Sequence, residues 1–173
     1  MLSVLLRKFR KKPSLSVLVV CMENICRSPI AEGVLKKALS AQGLAGAVRV
    51  ESAGTYASQP GSKPDVRGVR VAEQNGVDIS KIRARKIRED DFLEYDFILA
   101  VDRDSLSALE RMQPIEVKSK VMLFMSYATG QGEYEIPDPY YGNDEGFYNV
   151  LNSIEFGAEG LVEHLKRCID NGF

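Results

Sequence analysis

Histidine occurs once in the 173 residues, at His164, and cysteine three times, at Cys21, Cys26 and Cys168. So few ligands, with no close CxxC pair, argue against a zinc site. The same shortage of histidine, with no GxSxG turn, excludes the usual serine hydrolase. An odd number of cysteines in a domain of this size fits a reducing compartment better than a disulfide framework. No apolar run is long enough to cross a bilayer, and the N-terminus lacks an apolar core followed by a small-residue cleavage site. The expectation is a cytoplasmic protein that needs no metal or cofactor. There is no internal repeat and no low-complexity segment. Apolar and charged fractions of 45% and 27% suit one globular domain with enough chain to bury a full core.

What the chain does contain is an alternation of β-branched apolar runs with helical periodicity, the pattern of a parallel sheet wrapped by helices. Strands are expected near residues 17–20, 48–51, 97–101 and 121–124. A first helix should take Ser28 as its cap and Pro29 as its first helical residue and end near Gly43. Ala31, Val34, Leu35 and Ala38 would face inward. Further helices are expected over 64–75, stopped by Gly76, over 104–112, and after Asn143-Asp144. In the last, Val150, Leu151, Ile154, Leu161, Leu165 and Ile169 share a face. The predicted fold is a single α/β domain: a central parallel four-stranded sheet, helices on both faces, and a long loop over 126–142.

Residues 1–14 read as a separate N-terminal extension to a domain over 15–173. Within 1–12, Arg7, Lys8, Arg10, Lys11 and Lys12 alternate with apolar residues and no acid intervenes. Taking those five from the 23 basic residues leaves 18 against 24 acidic ones, so the body is net negative. A basic amphipathic segment suits weak contact with an anionic membrane surface at the inner face, or an acidic partner. A solvated tail, or an element packed on the body, is the plainer reading. Lys81, Arg83, Arg85, Lys86 and Arg88 are followed at once by Glu89, Asp90 and Asp91, which reads as solvated surface and not as a nucleic-acid site.

The chemistry concentrates in Cys21-Met22-Glu23-Asn24-Ile25-Cys26-Arg27-Ser28. This segment follows the apolar run 17–20 and leads into the first helix. A thiol there lies beneath backbone N–H groups at the positive end of a helix dipole, which favours thiolate and suits an anionic ligand. Arg27 adds a planar fork matched to two phosphate oxygens. A proton donor is available downstream at Asp138. Pro137 and Pro139 stiffen its loop, and Tyr140 and Tyr141 can exclude water, which helps a carboxyl keep its proton.

These segments resemble the low-molecular-weight protein tyrosine phosphatases. The family pattern of Cys, five residues, then Arg-Ser-Pro is matched by residues 21–29, and its acid loop by Asp138-Pro139-Tyr140-Tyr141-Gly142. Ser52-Ala53-Gly54-Thr55, residues 61–67 and Arg83-Ala84-Arg85 also match family segments, so the similarity runs from about residue 16 to the C-terminus. The resemblance implies that Cys21 attacks phosphorus to form a phosphocysteine, that Asp138 protonates the leaving tyrosine, and that Arg27 holds the equatorial oxygens. It implies that Ser28 stabilises the thiolate and that Asn24 and Ser52 brace the loop. Met22, Tyr140 and Tyr141 would line the slot for the ring, with Ile25 and Cys26 in the same binding loop. A phosphotyrosine protein is the implied partner. Bacterial relatives suggest a membrane-associated tyrosine kinase in that role.

Two positions depart from the family. Glu23 stands where glycine is usual, and glycine there would permit unusual backbone angles and close approach to phosphate. Its carboxylate either repels the substrate or points outward and reads positive charge on the partner. Asn75 stands where some relatives have a histidine bracing the loop asparagine; amide for imidazole is a tolerable exchange, so the resemblance implies that Asn75 supports the loop together with Ser52. Because of Glu23, a phosphotyrosine-binding module with little turnover is an alternative. An arsenate reductase of the same fold would need further cysteines in mid-chain, and residues 27–167 have none. An arginine phosphatase would usually have threonine at Ile25. Cys26 reads either as a partner for Cys21 under oxidation or as a small buried residue. Cys168 and His164 read as ordinary residues of the last helix. Tyr140 and Tyr141 read as the substrate wall in preference to phosphorylation sites.

Overall fold

The structure, a computed structural model, describes residues 13–117, 120–130 and 135–172. The expectations for residues 1–12 lie outside the described residues. Four strands, β1 (Leu15–Cys21), β2 (Val48–Gly54), β3 (Phe97–Ala100) and β4 (Lys120–Leu123), form one parallel sheet in the order β2-β1-β3-β4. Strand β1 is wholly buried because it is paired on both edges and covered on both faces. Its side chains alternate between two layers, Val17 and Val19 into one and Leu18 and Val20 into the other.

The first layer is closed by α1 (Arg27–Ala41), α2 (Val66–Gln74) and α5 (Asp144–Asp170). The second is closed by α3 (Asp91–Glu94) and α4 (Arg103–Met112). Helices therefore cover both faces, as the alternating pattern required. Phe97, Phe124 and Phe147 are fully buried in the first layer, each worth about 1.5–3 kcal/mol of transfer free energy. Helix α5 packs directly on the 3-10 turn Phe124–Tyr127: a Cβ on Gly160 would collide with the Tyr127 carbonyl oxygen. No helix among the described residues is long and apolar enough to cross a membrane.

The boundaries differ from expectation where side chains have other duties. Helix α1 begins at Arg27 with no side-chain cap, because the Ser28 hydroxyl is taken up by Cys21, Asn24 and the Ala53 carbonyl. Asp65 and Asp102 cap α2 and α4 instead, accepting from the amides of Arg67 and Ser105. The charged run 81–91 is not simply solvated. Asp91 is fully buried at the start of α3, where its Oδ2 accepts from the Arg85 guanidinium at 2.8 Å and the Arg88 amide at 2.7 Å.

Candidate active site

Parallel strands deliver their C-terminal ends to one edge of the sheet, and Cys21, Gly54 and Val101 all arrive there. The segment 22–26 turns from β1 into α1 over this edge. Asn24 makes the turn possible by adopting φ +58°, a left-handed conformation that asparagine tolerates better than most residues. Its side chain then ties the turn to three elements. Nδ2 donates to Ser28 Oγ and Ser52 Oγ, both at 2.9 Å, and Oδ1 accepts from the Arg85 amide at 3.0 Å. Ser52 in turn donates to the buried Glu32 at 2.6 Å. Strand β2 comes so close that a Cβ on Gly54 would meet the Met22 carbonyl oxygen at 2.6 Å. Glycine is required there for approach, not for its dihedral angles.

The Cys21 sulfur sits inside this turn. The Asn24 amide reaches it at 3.2 Å and the Ser28 hydroxyl at 3.1 Å. Ser28 has one proton to give, and an anionic sulfur outcompetes the Ala53 carbonyl at 3.3 Å for it. Among the described residues, no group accepts from the amides of Glu23, Ile25 or Cys26, so these N–H groups are free for an external anion. Cys26 is different. Burial, followed by the charges of Asp65, Cys21 and Asp138, pushes its thiol up to about 12, so it stays protonated at neutral pH.

Arg27 is buried and held from two sides. Nη1 donates to Asp102 Oδ2 at 2.5 Å and to the Ile136 carbonyl at 3.1 Å, and Nη2 lies 3.5 Å from Asp138 Oδ2. A second arginine fastens the loop that carries Asp138. Arg67 makes a two-pronged contact with Asp65 and donates to the carbonyls of Tyr140 at 3.0 Å and Gly142 at 2.9 Å. The Asp65 amide donates to the Ile25 carbonyl at 2.8 Å, so one Asp–Arg unit joins the thiol turn to the acid loop.

A cleft of about 300 Å³ opens over the sulfur, lined by Cys21, Met22, Glu23, Ile25, Cys26 and Arg27 below and by Asp138, Tyr140 and Tyr141 at its mouth. A larger depression, about 1050 Å³, lies along the edge of β2 near Lys36, Arg49 and Glu51. It contains no cysteine, and its Lys36 is paired with Glu32, so the smaller cleft, which holds Cys21 and Arg27, is the site.

The family profile described as low molecular weight phosphotyrosine protein phosphatase matches residues 16–171. The chain belongs to that family. It is 42% identical to the human low molecular weight phosphotyrosine protein phosphatase over 150 residues, covering 86% of this chain and 94% of that one. The Schizosaccharomyces pombe protein of the same description is 39% identical, with 86% and 96% covered. Among solved structures, a protein tyrosine phosphatase from Entamoeba histolytica superposes with a TM-score of 0.84 at 34% identity, with 89% and 98% covered. Vibrio vulnificus Wzb in complex with benzylphosphonate superposes with a TM-score of 0.77 at 31% identity, with 87% and 99% covered.

Within this family framework the fold brings together nearly all the residues singled out from sequence. Asn24 and Ser28 lie buried beneath the cleft, and Ser52 supports them from β2. Asn75 is the exception. It ends α2, its side-chain Nδ2 donates to the Val71 carbonyl, and Asn24 is braced by Ser28, Ser52 and Arg85 instead. Glu23 does not have the positive φ that a glycine there would suggest; among the described non-glycine residues only Asn24 and Ala57 do. Its Oε2 accepts from the Ser58 amide at 2.9 Å and hydroxyl at 2.7 Å. Nor do the tyrosines shield Asp138. Their rings meet edge to face with centroids 5.0 Å apart, Tyr141 is 96% exposed, and the Asp138 side chain is 56% exposed. Cys168 contacts His164 on α5 and takes no part in lining the cleft.

Sequence reasoning missed Asp102, Ser58, Gln59 and the Asp65–Arg67 unit. Asp102 had a usable signal: an acid directly after the β3 run stands at the same sheet edge as Cys21. Ser58 and Gln59 follow β2 in a polar loop with no distinguishing pattern.

Proposed function

We propose that the chain is a protein tyrosine phosphatase that works through a phosphocysteine intermediate. Family membership supports the activity. The observation that carries the mechanism is the convergence, in one cleft, of a sulfur held by two donors, three free amides, a guanidinium and a carboxyl. The Cys21 thiolate attacks phosphorus, forming the S–P bond as the P–O bond to the tyrosine ring breaks. Asp138 donates its proton to the departing phenolate. Arg27 and the amides of residues 23, 25 and 26 hold the equatorial oxygens as charge builds on them. Water then attacks phosphorus, Asp138 takes its proton, and the S–P bond breaks to release phosphate and the thiolate. The relative solved with benzylphosphonate supports an aryl phosphate as substrate.

The test is hydrolysis of para-nitrophenyl phosphate and phenyl phosphate. Cys21→Ser should abolish turnover while orthophosphate still protects the fold against heat. Asp138→Ala should slow phenyl phosphate about 10²–10³-fold and the nitrophenyl ester far less, because nitrophenolate scarcely needs a proton. Equal losses on both esters would remove Asp138 from the acid role.

Phosphotyrosine proteins are the proposed partners, a membrane-associated tyrosine kinase among them, and a cytoplasmic location beside the inner membrane face fits the basic segment 1–12. The domain division at residues 14 and 15 belongs to the same reading. Co-sedimentation with anionic liposomes, full chain against a chain starting at Ser14, tests it; equal binding rejects the membrane contact.

A further inference from the structure

We propose that Glu23 selects phosphotyrosines that have a positively charged residue beside them. The proposal rests on the phosphatase reading and names its substrate class. A fixed carboxylate in the wall of an anion-binding cleft works against a phosphate dianion unless it is matched by a cation on the same ligand.

Glu23 is fixed. Two donors of Ser58 converge on Oε2, and no described residue donates to Oε1 or pairs a cation with this side chain. Ser58 is itself held in place, because the chain leaving β2 is laid along the thiol turn. The Thr55 amide donates to the Cys21 carbonyl at 2.8 Å, and those of Tyr56 and Ala57 to the Met22 carbonyl at 2.9 and 3.1 Å. Ala57 adopts a left-handed φ of +45° to bring Ser58 round to Glu23. The half-buried Glu23 and the exposed Ser58 and Gln59 line the same cleft as Tyr140 and Tyr141, so residues flanking a bound phosphotyrosine pass this wall.

The charges around the mouth have one sign to spare. Of the cleft's charged lining groups, Arg27 is already matched by Asp102 at 2.5 Å and Asp138 serves as the proton donor, which leaves Glu23 as the unmatched charge. An acidic flank therefore meets repulsion and a lysine or arginine finds the open Oε1. With water-like screening one such charge changes binding about threefold, so exchanging lysine for glutamate beside the phosphotyrosine spans about tenfold.

Three phosphopeptides that share one phosphotyrosine and differ only in lysine, alanine or glutamate at the adjacent positions read this out as kcat/KM. The full chain should prefer the lysine peptide over the glutamate peptide about tenfold at low ionic strength, with the ratio shrinking as salt is added. Glu23→Gln should bring the ratio below about twofold. Ser58→Ala keeps the charge and the backbone donor but removes the hydroxyl that helps fix the carboxylate, and should give an intermediate value. Because each ratio is taken within one variant, a general change in turnover or folded fraction cancels. An unchanged ratio in Glu23→Gln, or no preference in the unaltered chain, overturns the proposal. Para-nitrophenyl phosphate has no flanking residue and tests the underlying reading separately. Hydrolysis of it alongside a flat peptide ratio rejects the Glu23 proposal alone, and absence of hydrolysis by folded protein rejects both.

Discussion

Replacing Asp102 by alanine removes two contacts at once, and their sizes can be worked out separately. Oδ1 caps α4 by accepting from the Ser105 amide at 2.7 Å. Losing such a cap costs about 1 kcal/mol. Oδ2 holds Arg27 at 2.5 Å, with the arginine side chain 6% exposed and the aspartate 19%. Breaking a fully buried pair costs about 3–5 kcal/mol. Arg27 keeps the Ile136 carbonyl and lies 3.5 Å from Asp138, so about 1–2 kcal/mol is the better figure here. The expected total for Asp102→Ala is about 2–3 kcal/mol in urea unfolding, or roughly 5–10 °C in melting temperature for a domain of this size. Asp102→Ser retains a good cap and should recover about 1 kcal/mol of that. Its kcat/KM should still fall about tenfold, because the guanidinium has lost the group that aims it. An Asp102→Ser protein as stable and as active as the unaltered chain would refute the reasoning, since it would mean that the close Arg27–Asp102 contact contributes nothing. A double-mutant cycle with Arg27→Ala isolates the pair from the cap.

Acid should destabilise the fold in two stages. Burial, then the charges of Arg167 and Lys120, lower the His164 pKa, so the unfolded chain takes up a proton first as pH falls below about 6.5 and stability drops; His164→Gln should flatten that stage. Hydrogen bonds from Arg67 outweigh burial and hold Asp65 low. Against the burial that opposes its charge, hydrogen bonds from Ser105 and the Arg27 guanidinium do the same for Asp102. Their contribution is thus complete above about pH 4 and lost below it, which urea unfolding at pH 5, 4 and 3 would record. Arg67→Ala should untie the acid loop from the thiol turn, slowing phenyl phosphate about tenfold more than the nitrophenyl ester; equal effects would mean that Arg67 does not position Asp138. Gly54→Ala should cost about 1–3 kcal/mol in urea unfolding, because the new methyl meets backbone of the thiol turn that cannot move aside.

The sheet and the long helices were legible because their signals are local and repeated: apolar runs for β1 and β3, Asn143 before α5, Gly76 after α2. Helix α3 escaped because four residues complete barely one turn and show no period. In the site, Cys21, Arg27 and Asp138 could be named because the thiol turn is contiguous and the acid loop is marked by its prolines. The supporting contacts were not legible, since Asn24–Arg85 and Arg27–Asp102 join residues 61 and 75 positions apart that only the parallel register brings together. Asn75 shows the opposite error. A position equivalent by resemblance was expected to brace the loop, but its short amide is satisfied within its own helix.

Strand β1, hydrogen-bonded along both edges and sealed on both faces, should hold the slowest-exchanging amides in the molecule, and Cys21 is its last residue. The sulfur therefore rides on the segment that opens only when everything opens, whereas the half-exposed Asp138 lies beyond its loop's backbone bond from Ile136 to the Val101 carbonyl. On warming, the capacity to capture an oxyanion should outlast the capacity to expel an aryloxide that needs a proton. Deuterium uptake should show the strand silent while the stretch after Ile136 has already exchanged.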